Sequence, residues 1–236
     1  MRLSDIFKDY KKIGIAVSGG ADSAYLLSEA SRSDAAVFAY VIRSVFQPER
    51  EIGRAVRVAE KCGVPLRIID YDVLSISGIS ENRCYRCKQG LLGLIMTCAS
   101  NDGCEVVFDG TNASDDAGDR PGMKALAEAG VRSPLRECGI TKDYIRAHVD
   151  PEFNVPSYSC LATRIRGEIT LEKIRKVDEA ETYLESMGFE DFRVRFDGET
   201  ASLELTARDR RRFDTVRARL ETIFDEVILS EVIRGH

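Results

Sequence analysis

The chain has 236 residues, a length typical of one large domain or two small ones. Hydrophobic residues make up 44% of it, enough for a sizeable core, and its net charge of −5 gives no overall basic field. A nucleic-acid partner is therefore not expected. No apolar run approaches the ~20 residues that span a bilayer, and the first residues contain no apolar signal segment. We expect no membrane association and a cytoplasmic location.

Strands alternate with helices in the first half of the sequence. Short apolar runs predict strands at 13–17, 36–42, 65–71 and 105–108. Apolar residues at helical spacing predict helices at 24–30, 48–63 and 85–100. This alternation predicts an α/β fold with a parallel sheet and right-handed crossovers. Ligands of such sheets bind beyond the carboxyl ends of the strands, where Ser18, Ser44 and Asp109 lie.

The second half of the sequence is organised differently. Its pattern is loose from residue 115 to about 167, and a smaller α+β pattern follows. The elements expected there are helices at 171–187 and 208–224 and strands at 192–196, 201–206 and 226–229, with a hairpin turn at Asp197-Gly198. We therefore expect two domains, residues 1–167 and residues 168–236.

The segment Ser18-Gly19-Gly20-Ala21-Asp22-Ser23 lies between the first strand and the first long helix. Glycines let the backbone approach a polyphosphate, and the following helix N-terminus presents N–H groups to it. Ser18 and Ser23 add hydroxyl donors, and Asp22 is a candidate Mg²⁺ ligand. A tight turn with a Ser or Asp helix cap is the simpler alternative. The segment matches neither the Walker A pattern nor GxGxxG.

This SGGxDS segment after an N-terminal apolar strand resembles the PP-loop of the N-type ATP pyrophosphatases. That family includes GMP synthetase, NAD synthetase and several tRNA-thiolating enzymes. The resemblance implies a PP-loop ATP pyrophosphatase (adenine nucleotide alpha hydrolase-like) domain. It also implies that ATP is cleaved between its α- and β-phosphates, with an adenylate and pyrophosphate as products.

A second polar segment follows the strand at 105–108. Asp109-Gly110-Thr111-Asn112 is followed by Asp115, Asp116 and Asp119, whose carboxylates are candidate Mg²⁺ ligands. A solvated acidic turn is the alternative for each of them. The segment resembles the nucleotide- and magnesium-binding side of PP-loop enzymes. This resemblance implies that Gly110, Thr111 and Asn112 bind the nucleotide, together with Ser44, and that Asp119 binds Mg²⁺ with Asp22.

Seven cysteines are many for a cytoplasmic chain, in which a disulfide framework is not expected. With only two histidines, a metal site would have to be rich in cysteine. Cys84 and Cys87 form a CxxC, and thiolates at this spacing converge on one metal; with Cys160 they would leave one corner of a 4Fe-4S cluster open. A Cys₄ zinc site and a thioredoxin-like pair are alternatives. The remaining cysteines are expected to be small buried hydrophobes: Cys62, Cys98, Cys104 and Cys138.

The segments CYRCK, DGTNASDDAGDRPG and PSYSCLATRI, in this order after the PP-loop, resemble the LarE family. The resemblance covers almost the whole chain. These ATP-dependent sulfur transferases build the nickel-pincer cofactor of lactate racemase and its relatives. They adenylate a carboxylate of pyridinium-3,5-biscarboxylic acid mononucleotide and convert it to a thiocarboxylate. A small-molecule nucleotide substrate, a sulfide donor and a homo-oligomer are implied.

Two sulfur sources are known in this family. Some members carry only the cysteine matching Cys160 and sacrifice its sulfur. Others carry all three cysteines matching Cys84, Cys87 and Cys160, and bind a 4Fe-4S cluster that carries the sulfide. This chain is similar to the second type, which makes Cys160 a candidate catalytic residue beside Asp22.

Three basic residues are candidates for binding the substrate's phosphate or second carboxylate: Lys88, Arg164 and Arg195. For each of them a surface salt bridge is the alternative. Three other functions fit parts of the sequence: a PP-loop tRNA thiolase, an amide-forming ligase resembling NAD synthetase with structural cysteines, and a zinc-stabilised nucleotide-binding module. The acidic net charge and the lack of tryptophan argue against the first.

Overall fold

A computed structural model describes residues 1–76, 82–115, 121–155 and 160–234 of the chain. The chain divides into two compact units. The first contains residues 1–44 and 49–157, and the second contains residues 45–48 and 158–236. The short segment at 45–48 therefore belongs to the second unit, although it lies between two elements of the first. The domain boundary near residue 167 stays a prediction.

The first unit is built on a parallel sheet of four strands. These are β1 (Lys12–Ala16), β2 (Ala36–Arg43), β3 (Leu66–Asp70) and β4 (Val106–Phe108). Their order in the sheet is β3-β2-β1-β4, and each neighbouring pair is parallel. The predicted α/β fold with a parallel sheet is confirmed.

Helices connect these strands and continue beyond them. In chain order they are α1 (Leu3–Phe7), α2 (Ala21–Ala30), α3 (Glu49–Cys62), α4 (Val73–Ile76), α5 (Arg83–Asn101), α6 (Pro121–Glu128), α7 (Pro134–Glu137) and α8 (Lys142–His148), with a 3-10 turn at Pro151–Phe153. Helix α3 illustrates why apolar residues at helical spacing predicted a helix at 48–63. Its buried residues form one stripe that includes Ile52, Ala55, Val58 and Ala59. Among the described residues, no helix is long and apolar enough to cross a membrane.

The strand order creates a crevice at one edge of the sheet. From β1 the chain moves outward to β2 and β3, and it then returns to place β4 on the other side of β1. The loops after β1 and β4 therefore leave the same end of the sheet from adjacent strands. Such a switch point is where α/β sheets bind their ligands.

The second unit contains a three-stranded sheet in the order β5-β6-β7. Its strands are β5 (Arg193–Phe196), β6 (Thr200–Thr206) and β7 (Glu226–Arg234), and its helices are α9 (Leu171–Ser186), α10 (Ala207–Arg210) and α11 (Phe213–Leu220), with a 3-10 turn at Leu161–Arg164. The strands β5 and β6 are antiparallel, and β6 and β7 are parallel. Asp197 accepts the N–H groups of Glu199 and Thr200 at the turn between β5 and β6.

The single helix expected over 208–224 is wrong, because the chain forms α10 and α11 with a break between them. Asp209 is buried and accepts a hydrogen bond from the Glu190 N–H, which turns this carboxylate inward. The Arg212 guanidinium donates to the carbonyls of Met187 and Gly188, which fixes the break. Helical spacing alone does not record such tertiary contacts.

Candidate active site

The loop after β1 is held by the two serine hydroxyls of the SGGADS segment. The Ser18 N–H lies 3.2 Å from Ser23 Oγ, and Ser23 Oγ donates to the Gly20 carbonyl over 3.1 Å. The two hydroxyl oxygens are 3.3 Å apart. These contacts close a small loop directly over the N-terminus of α2. Glycine at the N-cap position, Gly20, supplies no side-chain oxygen, so the start of α2 has no side-chain cap, and uncapped helix N-termini favour anions.

Gly19 is required at its position for two reasons. Its φ angle of +79° lies in the left-handed region, which is costly for residues with a side chain. A methyl group there would also overlap the carbonyl oxygen of Glu51 on α3. The backbone of this loop therefore packs directly against α3, and only glycine fits.

The loop after β4 packs against the same helix N-terminus. A methyl group on Gly110 would lie 2.8 Å from the Ser23 nitrogen, so glycine lets the two loops touch. The side-chain amide of Asn112, which is fully buried, donates to Asp22 Oδ2 over 3.3 Å. Two segments that the sequence analysis singled out separately, SGGADS and DGTN, thus form one site at the switch point.

The carboxylate of Asp22 has a shifted pKa and one oxygen without a hydrogen-bond partner among the described residues. Burial raises its pKa, and the negative charge of Asp115 raises it further. The charges of Lys142 and Arg146 and the Asn112 hydrogen bond act in the opposite direction. Its Oδ1 atom is buried and accepts no hydrogen bond from the described residues. A buried carboxylate oxygen without a partner suits Mg²⁺, which prefers carboxylate ligands and brings its own waters. The residues present therefore fit the ion.

Asp109 and Thr111 hold the loop rather than facing outward. Asp109 Oδ1 accepts from the Ser133 hydroxyl and Oδ2 from the Thr111 hydroxyl, both over 2.6 Å. Asp115 Oδ2 accepts the Asn112 N–H over 2.9 Å. The Thr111 hydroxyl already donates to Asp109, so a contact between this hydroxyl and the nucleotide would have to replace that bond. Asp116 and Asp119 lie outside the described residues, so the magnesium role of Asp119 stays a prediction.

Lys142 and Arg146 are two basic residues near Asp22 that the sequence analysis did not single out. Both charges act on Asp22, and α8, which carries them, packs its Tyr144 ring edge-on to Tyr25 of α2. The Lys142 N–H donates to Ser114 Oγ over 3.0 Å, which ties the start of α8 to the loop after β4. The sequence does contain a pattern that predicts this helix and its basic face. Thr141 is a typical helix N-cap residue, and Lys142 and Arg146 follow at i, i+4 spacing on one face.

Ser44 directly follows β2 at the same end of the sheet and is half-buried. Its neighbour Arg43 forms a two-bond ion pair with Asp70, at 2.6 Å and 3.0 Å, which joins the ends of β2 and β3. The position predicted for Ser44 is therefore found at the carboxyl end of its strand. A nucleotide contact there stays a proposal.

The three cysteines proposed as cluster ligands are divided between the units. Cys84 is exposed and Cys87 half-buried, one turn apart on α5 of the first unit. Cys160 is exposed and precedes the 3-10 turn of the second unit. Within the described ranges, no group of three or more His, Cys, Asp or Glu side chains is placed to hold a metal ion. The cluster set therefore stays a prediction. Burial raises the pKa of three of the other cysteines: Cys62, Cys104 and Cys138.

Arg164 and Arg195 both have partners inside the second unit. Arg164 is 1% exposed and forms an ion pair of 2.8 Å with Glu181, which is 0% exposed, so the surface salt bridge expected as its alternative is wrong. Arg195 pairs with Glu204 over 2.8 Å and donates to the Thr163 carbonyl over 2.6 Å. The third candidate, Lys88, is half-buried and directly follows Cys87 on α5. Substrate binding by these residues stays a proposal.

Comparison with known proteins places the chain in a family. No protein-family model matches it. The chain is 33% identical over 211 residues to the pyridinium-3,5-bisthiocarboxylic acid mononucleotide synthase of Lactiplantibacillus plantarum, covering 84% of this chain and 76% of that protein. Uncharacterized proteins of Synechocystis sp. and Methanocaldococcus jannaschii are 32% and 33% identical, over 86% and 82% of this chain and 80% and 77% of theirs.

These matches span both units, and the SGGADS and DGTN loops, which the resemblance identified, lie at the switch point of the parallel sheet. The family resemblance drawn from the sequence is therefore confirmed, and the chain belongs to the LarE family.

Proposed function

We propose that the chain is an ATP-dependent sulfur transferase of nickel-pincer cofactor biosynthesis. In this proposal it adenylates a carboxylate of pyridinium-3,5-biscarboxylic acid mononucleotide and converts that carboxylate to a thiocarboxylate. The relative from Lactiplantibacillus plantarum is named as the synthase of the bisthiocarboxylic acid mononucleotide. Within the chain, the observation that carries the proposal is the buried Asp22 oxygen, which lacks a partner among the described residues beside an uncapped helix N-terminus.

The first half-reaction uses the site at the switch point. The N–H groups of the SGGADS loop would bind the phosphates of ATP, and the hydroxyls of Ser18 and Ser23 would join them by exchanging their bonds within the loop for bonds to phosphate. Asp22 would hold Mg²⁺, which when bound neutralises the charge that develops on pyrophosphate. A substrate carboxylate oxygen attacks the α-phosphorus, and the bond from that phosphorus to the bridging oxygen breaks. Pyrophosphate leaves with the electron pair, and Lys142 would offset its charge.

The second half-reaction replaces oxygen with sulfur. A sulfide attacks the carbonyl carbon of the acyl-adenylate, the bond from this carbon to the AMP oxygen breaks, and AMP leaves with the electron pair. Cys84, Cys87 and Cys160 would hold a 4Fe-4S cluster, which when bound supplies sulfide at the iron without a cysteine ligand. In support of this, Cys84 and Cys87 lie one turn apart on α5, a spacing at which two thiolates can bind one metal. Lys88, Arg164 and Arg195 are the proposed contacts for the substrate's remaining anionic groups. For Arg164 such a contact would replace its buried pair with Glu181.

The test is to separate the two half-reactions in anaerobically purified protein. Iron, sulfide and zinc are assayed first, and pyrophosphate release and thiocarboxylate formation are then followed with the pyridinium mononucleotide. We expect Cys160→Ala to abolish thiocarboxylate formation while pyrophosphate release continues. Cys62→Ala, which removes a thiol outside the proposed set, should change neither.

Each contrary result identifies the part of the proposal that is wrong. Thiolation of tRNA but not of the mononucleotide would show that tRNA is the substrate. Zinc without iron, or dehydroalanine at position 160 after one turnover, would remove the cluster as the sulfur source. Loss of pyrophosphate release in Cys160→Ala would place Cys160 in the ATP site or in the fold.

A further inference from the structure

Thr163 lies at the centre of the hydrogen bonds around Cys160. Its hydroxyl donates to the Cys160 carbonyl over 2.7 Å, and its N–H donates to the same carbonyl over 2.9 Å. Its own carbonyl accepts from the Arg195 guanidinium over 2.6 Å. Its hydroxyl oxygen also accepts from Nη1 of Arg164 over 3.3 Å. One residue thus joins the backbone of Cys160 to two of the proposed substrate contacts.

The peptide group that follows Cys160 is held from both sides. Its carbonyl, which belongs to Cys160, accepts both bonds from Thr163. Its N–H, which belongs to Leu161, donates to the Phe46 carbonyl over 2.9 Å. A peptide group is coplanar with its two flanking Cα atoms, so these three bonds fix the position of the Cys160 Cα, from which the thiol extends. All four residues belong to the second unit.

The Thr163 side chain is exposed, whereas Ala162 and Arg164 on either side of it are buried. An exposed hydroxyl that bonds within the protein only exchanges a bond to water for another, so its net contribution to stability is small. The same bond restricts the backbone of Cys160, and a small displacement of a reacting group is costly in catalysis. The placement of Cys160 therefore explains this hydroxyl better than folding energy does.

We propose that Thr163 is a positioning residue for Cys160, and that its hydroxyl keeps the Cys160 thiol at a set distance from the substrate groups bound by Arg195. The inference rests on the proposed function, in which Cys160 takes part in sulfur transfer and Arg195 contacts the substrate. It applies to either sulfur source, because the sulfur must in both cases reach the activated carbonyl carbon from a fixed place. Thr163 would therefore act in the second half-reaction only.

The test compares Thr163→Val, which removes the hydroxyl but keeps the shape of the side chain, with Thr163→Ser, which keeps the hydroxyl. Pyrophosphate and thiocarboxylate are measured together in anaerobically purified protein with ATP and the pyridinium mononucleotide. We expect wild type and Thr163→Ser to form the two products in equal amounts. In Thr163→Val pyrophosphate release should continue, and the thiocarboxylate formed per pyrophosphate should fall about 10-fold or more. Damage to the fold would lower both products together, so their ratio reports the position of Cys160.

Thr222 provides a matched control in the same unit. It is also exposed, and its hydroxyl donates to the carbonyl three residues earlier, that of Arg219, over 2.7 Å. Its hydroxyl oxygen likewise accepts from an arginine, Nη1 of Arg219. Thr222→Val therefore loses the same kind of bond at a place remote in sequence from Cys160, and it should leave the product ratio unchanged.

Amide hydrogen exchange tests the same geometry without turnover. The N–H groups of Leu161 and Thr163 are both bonded, so both should be protected in wild type without nucleotide or metal. In Thr163→Val both should exchange about 3- to 10-fold faster, as expected for the loss of one neutral hydrogen bond. Thr163→Ser and Thr222→Val should exchange these two amides at the wild-type rate.

The contrary outcomes are separable. An unchanged product ratio in Thr163→Val, with or without faster exchange, would overturn the role of Thr163 and leave the proposed function standing. A ratio equally low in Thr163→Ser would also overturn it, since the hydroxyl would not be the group responsible. Failure of Thr163→Val to fold would do the same, because the hydroxyl would then support the fold. Wild type that releases pyrophosphate but forms no thiocarboxylate would overturn the proposed function, and the role of Thr163 with it.

Discussion

The side-chain amide of Asn112 donates a hydrogen bond to Oδ2 of Asp22 over 3.3 Å, joining the loop after β4 to the first turn of α2. Because Asn112 is fully buried, this contact fixes the orientation of the carboxylate. The second oxygen, Oδ1, is then left for a ligand. The two oxygens of this carboxylate thus have different surroundings, and the first prediction tests the proposed binding of Mg²⁺ by Asp22.

We expect Asp22→Asn to be inactive but not unstable. Loss of the proposed magnesium ligand should reduce pyrophosphate formation about 100-fold or more. Burial raises the pKa of Asp22 in the folded chain, so folding takes up protons between the unfolded and folded values. The carboxylate therefore lowers stability progressively as the pH rises through that window.

At neutral pH, metal-free Asp22→Asn should accordingly have a higher free energy of unfolding than wild type, and the difference should disappear at a pH below the unfolded value of about 3.9. Denaturant unfolding at several pH values measures this, and added Mg²⁺ should stabilise only the wild type. A variant less stable than wild type at neutral pH would show that Asp22 supports the fold.

Lys142→Gln should weaken the first half-reaction. Lys142 is half-buried, and its charge acts on Asp22. A charge-assisted contact to phosphate is worth about 1.5–3 kcal/mol, so kcat/KM for ATP in pyrophosphate release should fall about 10- to 100-fold. Lys8→Gln, an exposed lysine just after α1, is the matched control. Equal activity of the two variants would remove Lys142 from the site.

Gly110→Ala should disturb the contact between the two loops. The added methyl would lie 2.8 Å from the Ser23 nitrogen and 3.1 Å from its Cα, so the start of α2 must shift. Overpacking of this kind costs about 1–3 kcal/mol of stability, and pyrophosphate release should fall at least 10-fold. In Gly53→Ala the new methyl makes only an ordinary contact of 3.6 Å, and we expect wild-type activity. Normal ATP turnover in Gly110→Ala would contradict the close packing described above.

Arg164→Met should destabilise the second unit. It would leave the Glu181 carboxylate buried without its cation, which costs about 3–5 kcal/mol. The double variant Arg164→Met/Glu181→Gln should recover part of this loss, because the amide still accepts the Val194 N–H without carrying a charge. Thermal unfolding of the single and the double variant measures the loss of stability and its partial recovery. If Arg164→Met is as stable as wild type but loses activity, Arg164 binds substrate.

The parallel sheet and the phosphate loop could be predicted because they are local in sequence. Apolar runs give the strands, and β2 was expected at 36–42 and is observed at Ala36–Arg43. The SGGADS segment has its glycines at the positions that need them. The bond from Asn112 to Asp22 joins residues far apart in the chain, and no periodicity encodes it.

The position of Lys142 near Asp22 and the buried state of Arg164 could not be predicted for a related reason. Both depend on which helix packs beside which loop, and a basic residue looks the same in the sequence whether it meets phosphate or a buried glutamate. The break between α10 and α11 likewise depends on where Asp209 and Arg212 find their partners.

The segment at 45–48 has a practical consequence for dividing the protein. Phe46 is buried, and its carbonyl accepts the Leu161 N–H over 2.9 Å within the second unit. A fragment that begins at residue 158 would lack this acceptor and the aromatic ring. Independent production of the second unit would therefore require that the tetrapeptide be supplied as well, for example by circular permutation. During synthesis, too, this unit cannot be completed until a segment made more than a hundred residues earlier is recruited to it.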